Sequence, residues 1–241
     1  MKKRPYIGIV VSVPAEGSIL ARALKGKNDR TPLYYKGILA DRPVVLGVSG
    51  IGKVNAAHMA TRLIHEYPLS LIMNIGVGGA YPSSGLVMGD VAIAGKEIYG
   101  DEGVLLKDGF HGADLIGIPL LEKGRRKYFN EFPLDRGLVR KAVRTFALRP
   151  LPFAVQSGTF VTVSTCTGTA KRARAIEGKF HAICENMEGA AVAHICALYG
   201  TPLIEMRGIS NMVRDRDRAE WNIRLAAENC QTAALQLLRV V

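Results

Sequence analysis

Short apolar runs alternate along this chain with segments of helical periodicity. The apolar runs predict buried strands, and apolar residues spaced three or four apart predict helices. In chain order, the predicted strands are 6–12, 44–48, 69–75, 90–99, 153–163 and 203–209, and the predicted helices are 53–67, 136–148, 169–177, 187–199 and 222–240. This alternation predicts an α/β fold, a three-layer α/β/α sandwich with a mixed central sheet.

The whole chain is predicted to form one domain over residues 1–241. Its 241 residues, 48% of them hydrophobic, are enough for one sizeable core, and the helix at 222–240 is typical of a closing element. The segment at about 100–133 is rich in glycine and charge. We expect it to be an inserted loop region near the functional site.

Cysteine usage and hydropathy limit the cellular setting. The cysteines at 166, 184, 196 and 230 have neither CxxC nor Cys/His ligand spacing, so we expect no metal and no cofactor. Free thiols in apolar surroundings are typical of a reducing compartment, which predicts a cytoplasmic protein. No apolar run is long enough to span a bilayer, and no membrane partner is expected.

The net charge of +11 raises the possibility of nucleic-acid binding. The basic residues are scattered, however, and the densest group, "EKGRRKYF" at 122–129, accompanies no helix-turn-helix, zinc or RNA-binding signature. We therefore expect no nucleic-acid partner. A positive field of this kind favours an anionic small substrate instead.

Polar or glycine-rich residues follow several predicted strands. Glu16 follows the first, residues 49–53 another, residues 76–79 a third, and Ser210 and Asn211 the last. Ligands of open α/β sheets bind at the carboxyl ends of strands, so this pattern predicts one pocket. The glycine-rich segments "SGIGKVNAA" (49–57) and "NIGVGGA" (74–80) match neither the Walker A nor the Rossmann spacing. Each alone indicates a tight turn, and together they predict backbone N–H groups facing a ligand.

The stretch "ENMEGAAVAHICALYG" (185–200) places two acids before a helix that is apolar nearly all round. Glu188 has an ordinary structural explanation, since an acid in the first turn of a helix complements the helix dipole. Glu16 alone would be an exposed loop acid. Arg207, inside a predicted buried strand, requires an anion or an acidic partner such as Glu185 or Glu205.

In chain order, these segments resemble those of the nucleoside phosphorylase and nucleosidase superfamily. The resemblance is carried by Glu16, "SGIGKVNAA", the glycine segment followed by "GDV" (89–91), "SGTF" (157–160), "NMEGAAVAHICALYG" and "RGISN" (207–211), and it covers nearly the whole chain. Its most specific parts are "MEGAA" and "RGIS". The resemblance implies a nucleoside phosphorylase-like fold, a homo-oligomer, and cleavage of the N-ribosidic bond of a small nucleoside.

The resemblance also implies roles for single residues. Glu16 would position and deprotonate water, with Arg207 fixing the carboxylate geometry. Glu188 would bind the ribose hydroxyls, and Asn211 would stabilise the departing base. The implied substrate-binding residues are Met187 beside the sugar, Phe160 against the base, and Gly52, Val77, Gly78 and Gly79 in the glycine segments.

Three positions bear on the type of reaction. Asn74 and Val77 stand where the hexameric phosphorylases carry an Arg and a Ser for phosphate, and neither can replace that charge and donor, so water is the predicted nucleophile. Asn211 stands where methylthioadenosine/S-adenosylhomocysteine nucleosidases carry an Asp. A neutral amide cannot act as a general acid, but it can donate to N7 or O6 of a 6-oxopurine.

Segments 98–121 and 210–223 resemble the futalosine hydrolases within this superfamily. That resemblance implies release of hypoxanthine from futalosine, a nucleoside bearing a carboxylate, with dehypoxanthine futalosine as the other product, in menaquinone biosynthesis. Two alternatives within the superfamily stay open, a purine nucleoside phosphorylase and a methylthioadenosine/S-adenosylhomocysteine nucleosidase. A third, from another class, is a non-catalytic nucleotide- or nucleic-acid-binding protein that has the same fold.

Overall fold

The computed structural model describes residues 4–31 and 34–241. The strands in these residues are β1 (Tyr6–Val11), β2 (Lys25–Thr31), β3 (Tyr34–Leu39), β4 (Arg42–Val48), β5 (Leu69–Ala80), β6 (Val91–Tyr99), β7 (Gly103–Leu106), β8 (Gly109–Gly112), β9 (Leu121–Lys123), β10 (Arg126–Tyr128), β11 (Glu131–Pro133), β12 (Val155–Thr162), β13 (Ala182–Asn186) and β14 (Leu203–Met212). The helices are α1 (Pro14–Ala23), α2 (Lys53–Glu66), α3 (Arg136–Leu148), α4 (Ala170–Phe180), α5 (Gly189–Tyr199) and α6 (Ile223–Leu238).

A mixed sheet runs through the centre of the molecule. β1 lies between β4 and β5 and is parallel to both, while β3 and β2 continue the sheet antiparallel beyond β4. β14 pairs with β5 in parallel and with β6 antiparallel, and β12 is parallel to β6 and β13. The far end of β5 pairs with β13, so β5, β14, β6, β12 and β13 form a closed ring of strand pairings.

Helices cover both faces of this sheet. Buried residues of α2 and α5 form one core cluster against it, and buried residues of α1, α3 and α6 form another. The predicted α/β/α sandwich with a mixed sheet is therefore confirmed. None of the helices in the described part of the chain is both long and apolar enough to cross a bilayer.

The structure differs from the sequence prediction in several elements. Glu16 lies in the first turn of α1, a helix that the sequence analysis does not predict, and not in a loop. "NIGVGGA" is the second half of β5 and not a turn. Its glycines are explained by close approach, because a Cβ at Gly78 would lie 2.7 Å from Cys184 Sγ and 2.9 Å from Glu185 O. The 100–133 segment contains the β7–β8 and β9–β10 hairpins and β11.

Candidate active site

A cavity of about 280 Å³ lies where β1, β5, β13 and β14 end. Four of the predicted catalytic or binding segments meet there, since Glu16, Val77, Glu188 and Asn211 all line it. The position agrees with the rule that ligands of open α/β sheets bind beyond the carboxyl ends of the strands. In the part of the chain that the structure describes, no group of His, Cys, Asp and Glu side chains is arranged to hold a metal ion.

Glu16 is held by backbone N–H groups from two sides. Its Oε2 accepts from Ser12 N at 2.9 Å and from Val13 N at 3.1 Å, and its Oε1 accepts from Val77 N at 2.9 Å. Burial raises the pKa of this carboxyl group, although Arg207 and the N–H donors oppose the shift. A raised pKa suits a general base that works near neutral pH.

Glu188 immediately precedes α5, yet its side chain does not cap the helix. Asn186 Oδ1 accepts from the N–H groups of Glu188 and Gly189 at 2.9 and 2.7 Å, and Thr162 Oγ1 accepts from Ala190 N at 2.7 Å. The first donors of α5 are thus satisfied by Asn186 and Thr162. The Glu188 carboxylate instead accepts from Gly52 N at 2.9 Å and from Arg207 Nη1 at 3.3 Å.

Arg207 is the largest fully buried side chain in the described residues. Its Nε donates to Glu205 Oε1 at 3.0 Å, and Nη2 lies 2.9 Å from the same oxygen. Of the two acids expected as its structural partner, the structure selects Glu205. Because Arg207 also contacts Glu188, it connects a carboxylate that lines the cavity to one beneath it.

Glu185 has a different environment. Its Oε1 accepts from Thr167 N at 2.9 Å, and its Oε2 accepts from Thr167 Oγ1 at 2.6 Å and from the Tyr81 hydroxyl at 2.8 Å. These bonds hold the loop after β12 against the cavity, which Cys166 and Thr167 line.

The predicted substrate-binding residues divide into two groups. Met187, Val77, Gly78 and Gly79 line the cavity, and the Gly52 N–H reaches Glu188 from beside it. Phe160 does not line it, so the prediction that Phe160 stacks against the base is corrected. Phe160 is completely buried in the core on β12, which continues for two more residues before its loop reaches the cavity.

Asn211, near the end of β14, is one of the residues that line the cavity. Its Oδ1 accepts from Ser210 Oγ at 2.8 Å, and its Nδ2 donates to Met212 O at 3.1 Å. Gly79 allows this packing, since a Cβ there would lie 3.0 Å from Asn211 Nδ2.

Several lining residues escape the sequence analysis. Arg216 and Trp221 come from the loop between β14 and α6, and the Arg216 guanidinium lies 4.5 Å from the Trp221 ring centroid. Both lie in the segment 210–223 that resembles the futalosine hydrolases, but the resemblance gives neither of them a role. The basic group at 122–129 belongs to the β9–β10 hairpin, and none of its residues lines this cavity. Lys123 Nζ donates instead to Ala197 O on α5.

Comparison with known proteins identifies what the chain is similar to. It matches the family model of the Phosphorylase superfamily over residues 6–241. It is 35% identical to futalosine hydrolase of Thermus thermophilus over 190 aligned residues, and the alignment covers 79% of each chain. It is 31% identical over 210 residues, 86% of each chain, to 5′-methylthioadenosine/S-adenosylhomocysteine nucleosidase of Staphylococcus saprophyticus.

Solved structures have the same fold. The 5′-methylthioadenosine/S-adenosylhomocysteine nucleosidase of Neisseria meningitidis, in complex with methylthio-immucillin-A, has a TM-score of 0.85 to this chain at 22% identity. The match covers 99% of this chain and 100% of the Neisseria chain. The enzyme from Colwellia psychrerythraea, in complex with adenine, has a TM-score of 0.82 at 22% identity over 98% of this chain and 95% of its own.

Proposed function

This chain belongs to the phosphorylase superfamily, and on that premise we propose that it is a nucleosidase that hydrolyses futalosine to hypoxanthine and dehypoxanthine futalosine, a reaction of menaquinone biosynthesis. The observation that carries the proposal is that Glu16, Glu188 and Asn211 line one cavity, with Arg207 in contact with Glu188. The identity of 35% to a futalosine hydrolase supports the choice of substrate.

In the proposed reaction, the ribosyl group develops positive charge as the bond to the base breaks. Glu16 takes a proton from the attacking water, since its raised pKa makes it a stronger base than an ordinary glutamate. Glu188 accepts hydrogen bonds from the ribose hydroxyls, and these strengthen as the sugar becomes cationic. Arg207 donates to the Glu188 carboxylate inside the protein and fixes its orientation.

Water, and not phosphate, is the proposed nucleophile. Val77 carries no polar side-chain atom, and its N–H already donates to Glu16. Asn74 is buried and donates to Glu205 Oε1 at 3.0 Å, away from the lining of the cavity. Neither position therefore offers the charged donor that a phosphate site requires.

The acidic end of the substrate is assigned to Arg216. It is the one Lys or Arg side chain among the described residues that line the cavity, and no salt bridge is found for it there. A guanidinium can bind a carboxylate through two parallel hydrogen bonds. We therefore propose that Arg216 receives the substrate carboxylate.

A methylthioadenosine/S-adenosylhomocysteine nucleosidase is the second candidate function. Ile51, Trp221 and Ile223 give the cavity an apolar wall that suits a thioether substituent on the sugar. The 31% identity to the staphylococcal nucleosidase supports this candidate to a similar degree. Asn211 favours the 6-oxopurine, because it lacks the ionisable oxygen that could share a proton with N7 of adenine.

One assay separates these functions. Purified protein is incubated with futalosine, inosine or methylthioadenosine, with and without inorganic phosphate, and the released base and sugar are quantified by chromatography. Hypoxanthine release from futalosine without phosphate supports the proposal. Ribose 1-phosphate formation would identify a phosphorylase, adenine release alone would identify the second candidate, and no base release from any substrate would favour a non-catalytic binding protein.

A homo-oligomer in the cytoplasm completes the proposal. Ile51, which lines the cavity, and Val54, in the first turn of α2, are 58% and 84% exposed, which suits coverage by a second copy of the chain. Cys184, Cys196 and Cys230 are buried free thiols, which suits a reducing compartment. Light scattering during size-exclusion chromatography measures the oligomer, and a monomeric mass at micromolar concentration would contradict this part of the proposal.

A further inference from the structure

Two buried acids, Glu97 and Glu205, lie together beneath the active-site cavity, and we refer to them as the carboxyl pair. Both are completely buried, and their carboxyl groups lie close to each other on the same side of α5. Both pack against the first residue of α5, Gly189, where a Cβ would overlap the two carboxyl groups. The start of α5 is therefore built directly on the carboxyl pair.

The donors around the carboxyl pair are fully assigned. Glu97 Oε1 accepts from Asn186 Nδ2 at 2.7 Å, and Glu97 Oε2 accepts from Thr162 Oγ1 at 2.8 Å. Glu205 Oε1 accepts from Arg207 Nε and from Asn74 Nδ2, both at 3.0 Å. Glu205 Oε2 accepts from no N–H or hydroxyl donor among the described residues. A proton carried by the neighbouring Glu97 carboxyl group would supply the donor that this oxygen lacks.

Electrostatics places that proton on Glu97. Two ionised carboxylates in contact without water repel each other strongly, so one of a buried pair stays neutral. Glu205 faces the Arg207 guanidinium directly and retains its charge. The hydrogen bonds then form a closed ring, which runs from the Glu188 carboxylate through Arg207, Glu205, Glu97 and Asn186 back to the Glu188 backbone N–H.

We propose that Glu97 is a positioning residue for Glu188, because its protonated carboxyl group donates to Glu205 on one side of this ring and holds the Asn186 amide on the other. Arg207 then fixes the Glu188 carboxylate, while Asn186 fixes the Glu188 backbone. The proposal rests on Glu188 acting on the ribose, but it does not depend on which nucleoside is the substrate.

The ring makes the active site sensitive to alkaline pH. The titratable or charged groups that face Glu97 are Glu205 and Arg207 on β14, Tyr99 on β6 and Cys184 on β13. Burial and the Glu205 carboxylate together raise the pKa of Glu97 well above its usual range. When Glu97 loses its proton, the carboxyl pair carries two charges and repels. The positions of Arg207 and Asn186 are then disturbed, and kcat falls.

Two variants test the proposal. In Glu97→Gln, an amide N–H₂ still donates to Glu205 but cannot ionise, whereas Glu97→Leu removes every hydrogen bond at similar size. We expect kcat of Glu97→Leu to be about 30-fold or more below that of the wild type, because a contact made in the transition state is misplaced. The kcat of Glu97→Gln should be about tenfold higher than that of Glu97→Leu. The wild type should lose kcat at alkaline pH, and Glu97→Gln should not. Futalosine and methylthioadenosine are used in parallel.

Infrared difference spectroscopy provides a readout that needs no substrate. The wild type should show the carbonyl band of a protonated buried carboxyl group at neutral pH, and Glu97→Gln should lack it. A band that persists in Glu97→Gln would overturn the proposal. So would a fall of kcat at alkaline pH that is the same in Glu97→Gln as in the wild type. A folded Glu97→Leu enzyme with kcat within about threefold of the wild type would also overturn it. If Glu97→Leu does not fold, the band and the Glu97→Gln profile decide.

Discussion

The Arg207 guanidinium donates to the Glu188 carboxylate at 3.3 Å, and both side chains are almost completely inaccessible to solvent. This pair explains why an acid stands before an apolar helix. A buried carboxylate requires a cation or several donors, and Glu188 obtains the cation from β14 and a backbone N–H from Gly52. Since other residues cap α5, the acid is available for a ligand.

Replacing either cavity carboxylate should reduce turnover without unfolding the protein. We expect Glu188→Gln and Glu16→Gln each to lower kcat by about 100-fold or more, because each removes a contact or proton acceptor used in the transition state. Gln is nearly isosteric, so circular dichroism and the unfolding midpoint should change little. Glu66→Gln, on the exposed end of α2, is the matched control. A Glu188→Gln enzyme with wild-type kcat would return this residue to a purely structural role.

The sequence pattern predicts six strands of the central sheet and every helix except α1, because burial sets their periodicity, but it misses the buried strand β13. It does not reveal β2 or the β9–β10 hairpin, since these short or charged strands lack a clean alternation. The prediction that Phe160 contacts the base is wrong for a related reason. The last three residues of β12 are all buried, and alternation within such a run does not tell which side chain reaches a pocket.

The candidate site is only partly predictable for a different reason. The residues Glu16, Glu188 and Asn211 stand at strand ends, where local pattern and resemblance point to them. The Glu97–Glu205 contact joins strands that are distant in sequence, and Arg216 reaches the cavity through the path of the loop after β14; no local pattern specifies either arrangement.

Gly76 should tolerate no side chain, because β5 passes directly beside the two charged groups of the site. A Cβ at Gly76 would lie 2.6 Å from Glu16 Oε1 and 2.8 Å from Arg207 Nη1. We expect Gly76→Ala to destabilise the fold by about 1–3 kcal/mol through overpacking and to reduce kcat. The control is Gly178→Ala in α4, where nothing lies near the added methyl group, and it should stabilise by about 0.5–1 kcal/mol. Equal urea midpoints for the two variants would contradict the close approach at Gly76.

The pH dependence of kcat/KM should report the raised pKa of Glu16. The proposed role of Glu16 as general base requires its ionised form, so activity should rise with pH through a value above the pKa of an ordinary glutamate. The effect of Glu16 on the free energy of unfolding has the opposite pH dependence. Because its folded-state pKa is raised above the unfolded-state pKa near 4.5, Glu16 stabilises the fold at low pH, and this contribution is lost as pH rises through the folded-state pKa. Steady-state profiles of wild type and Glu16→Gln check the assignment. An acid limb that persists unchanged in Glu16→Gln would assign it to another group.

Arg216 should act on capture of an acidic substrate. We expect Arg216→Ala to raise KM for futalosine by about two- to fivefold, the range of a solvent-accessible ion pair, and to leave KM for inosine unchanged. Because the contact is accessible to salt, the difference should shrink as ionic strength increases. Arg125→Ala, in the turn of the β9–β10 hairpin outside the cavity, is the control for loss of one positive charge. Equal effects of the two variants would indicate long-range attraction by net charge and not a contact.

Substitution of Asn211 tests which purine base the site recognises. A 6-oxopurine presents O6 and N7 as adjacent acceptors, which the Asn211 amide can serve once Nδ2 turns from Met212 O. Asn211→Asp replaces this donor by a carboxylate that repels O6 in a site sheltered from water, whereas the amino group of adenine could donate to it. We therefore expect the ratio of kcat/KM for futalosine to that for methylthioadenosine to fall by about 100-fold, the scale of a buried hydrogen-bond mismatch.

The matched control for this last variant is Asn222→Asp, which adds the same charge at the N-cap of α6. There the side-chain oxygen accepts from Leu225 N at 3.1 Å, a bond that an aspartate makes equally well. Its kcat/KM ratio should match the wild type, because the substituted side chain does not line the cavity. A ratio that is unchanged in Asn211→Asp, or that falls equally in both variants, would mean that Asn211 does not recognise the base, and the choice of futalosine would then rest on sequence similarity alone.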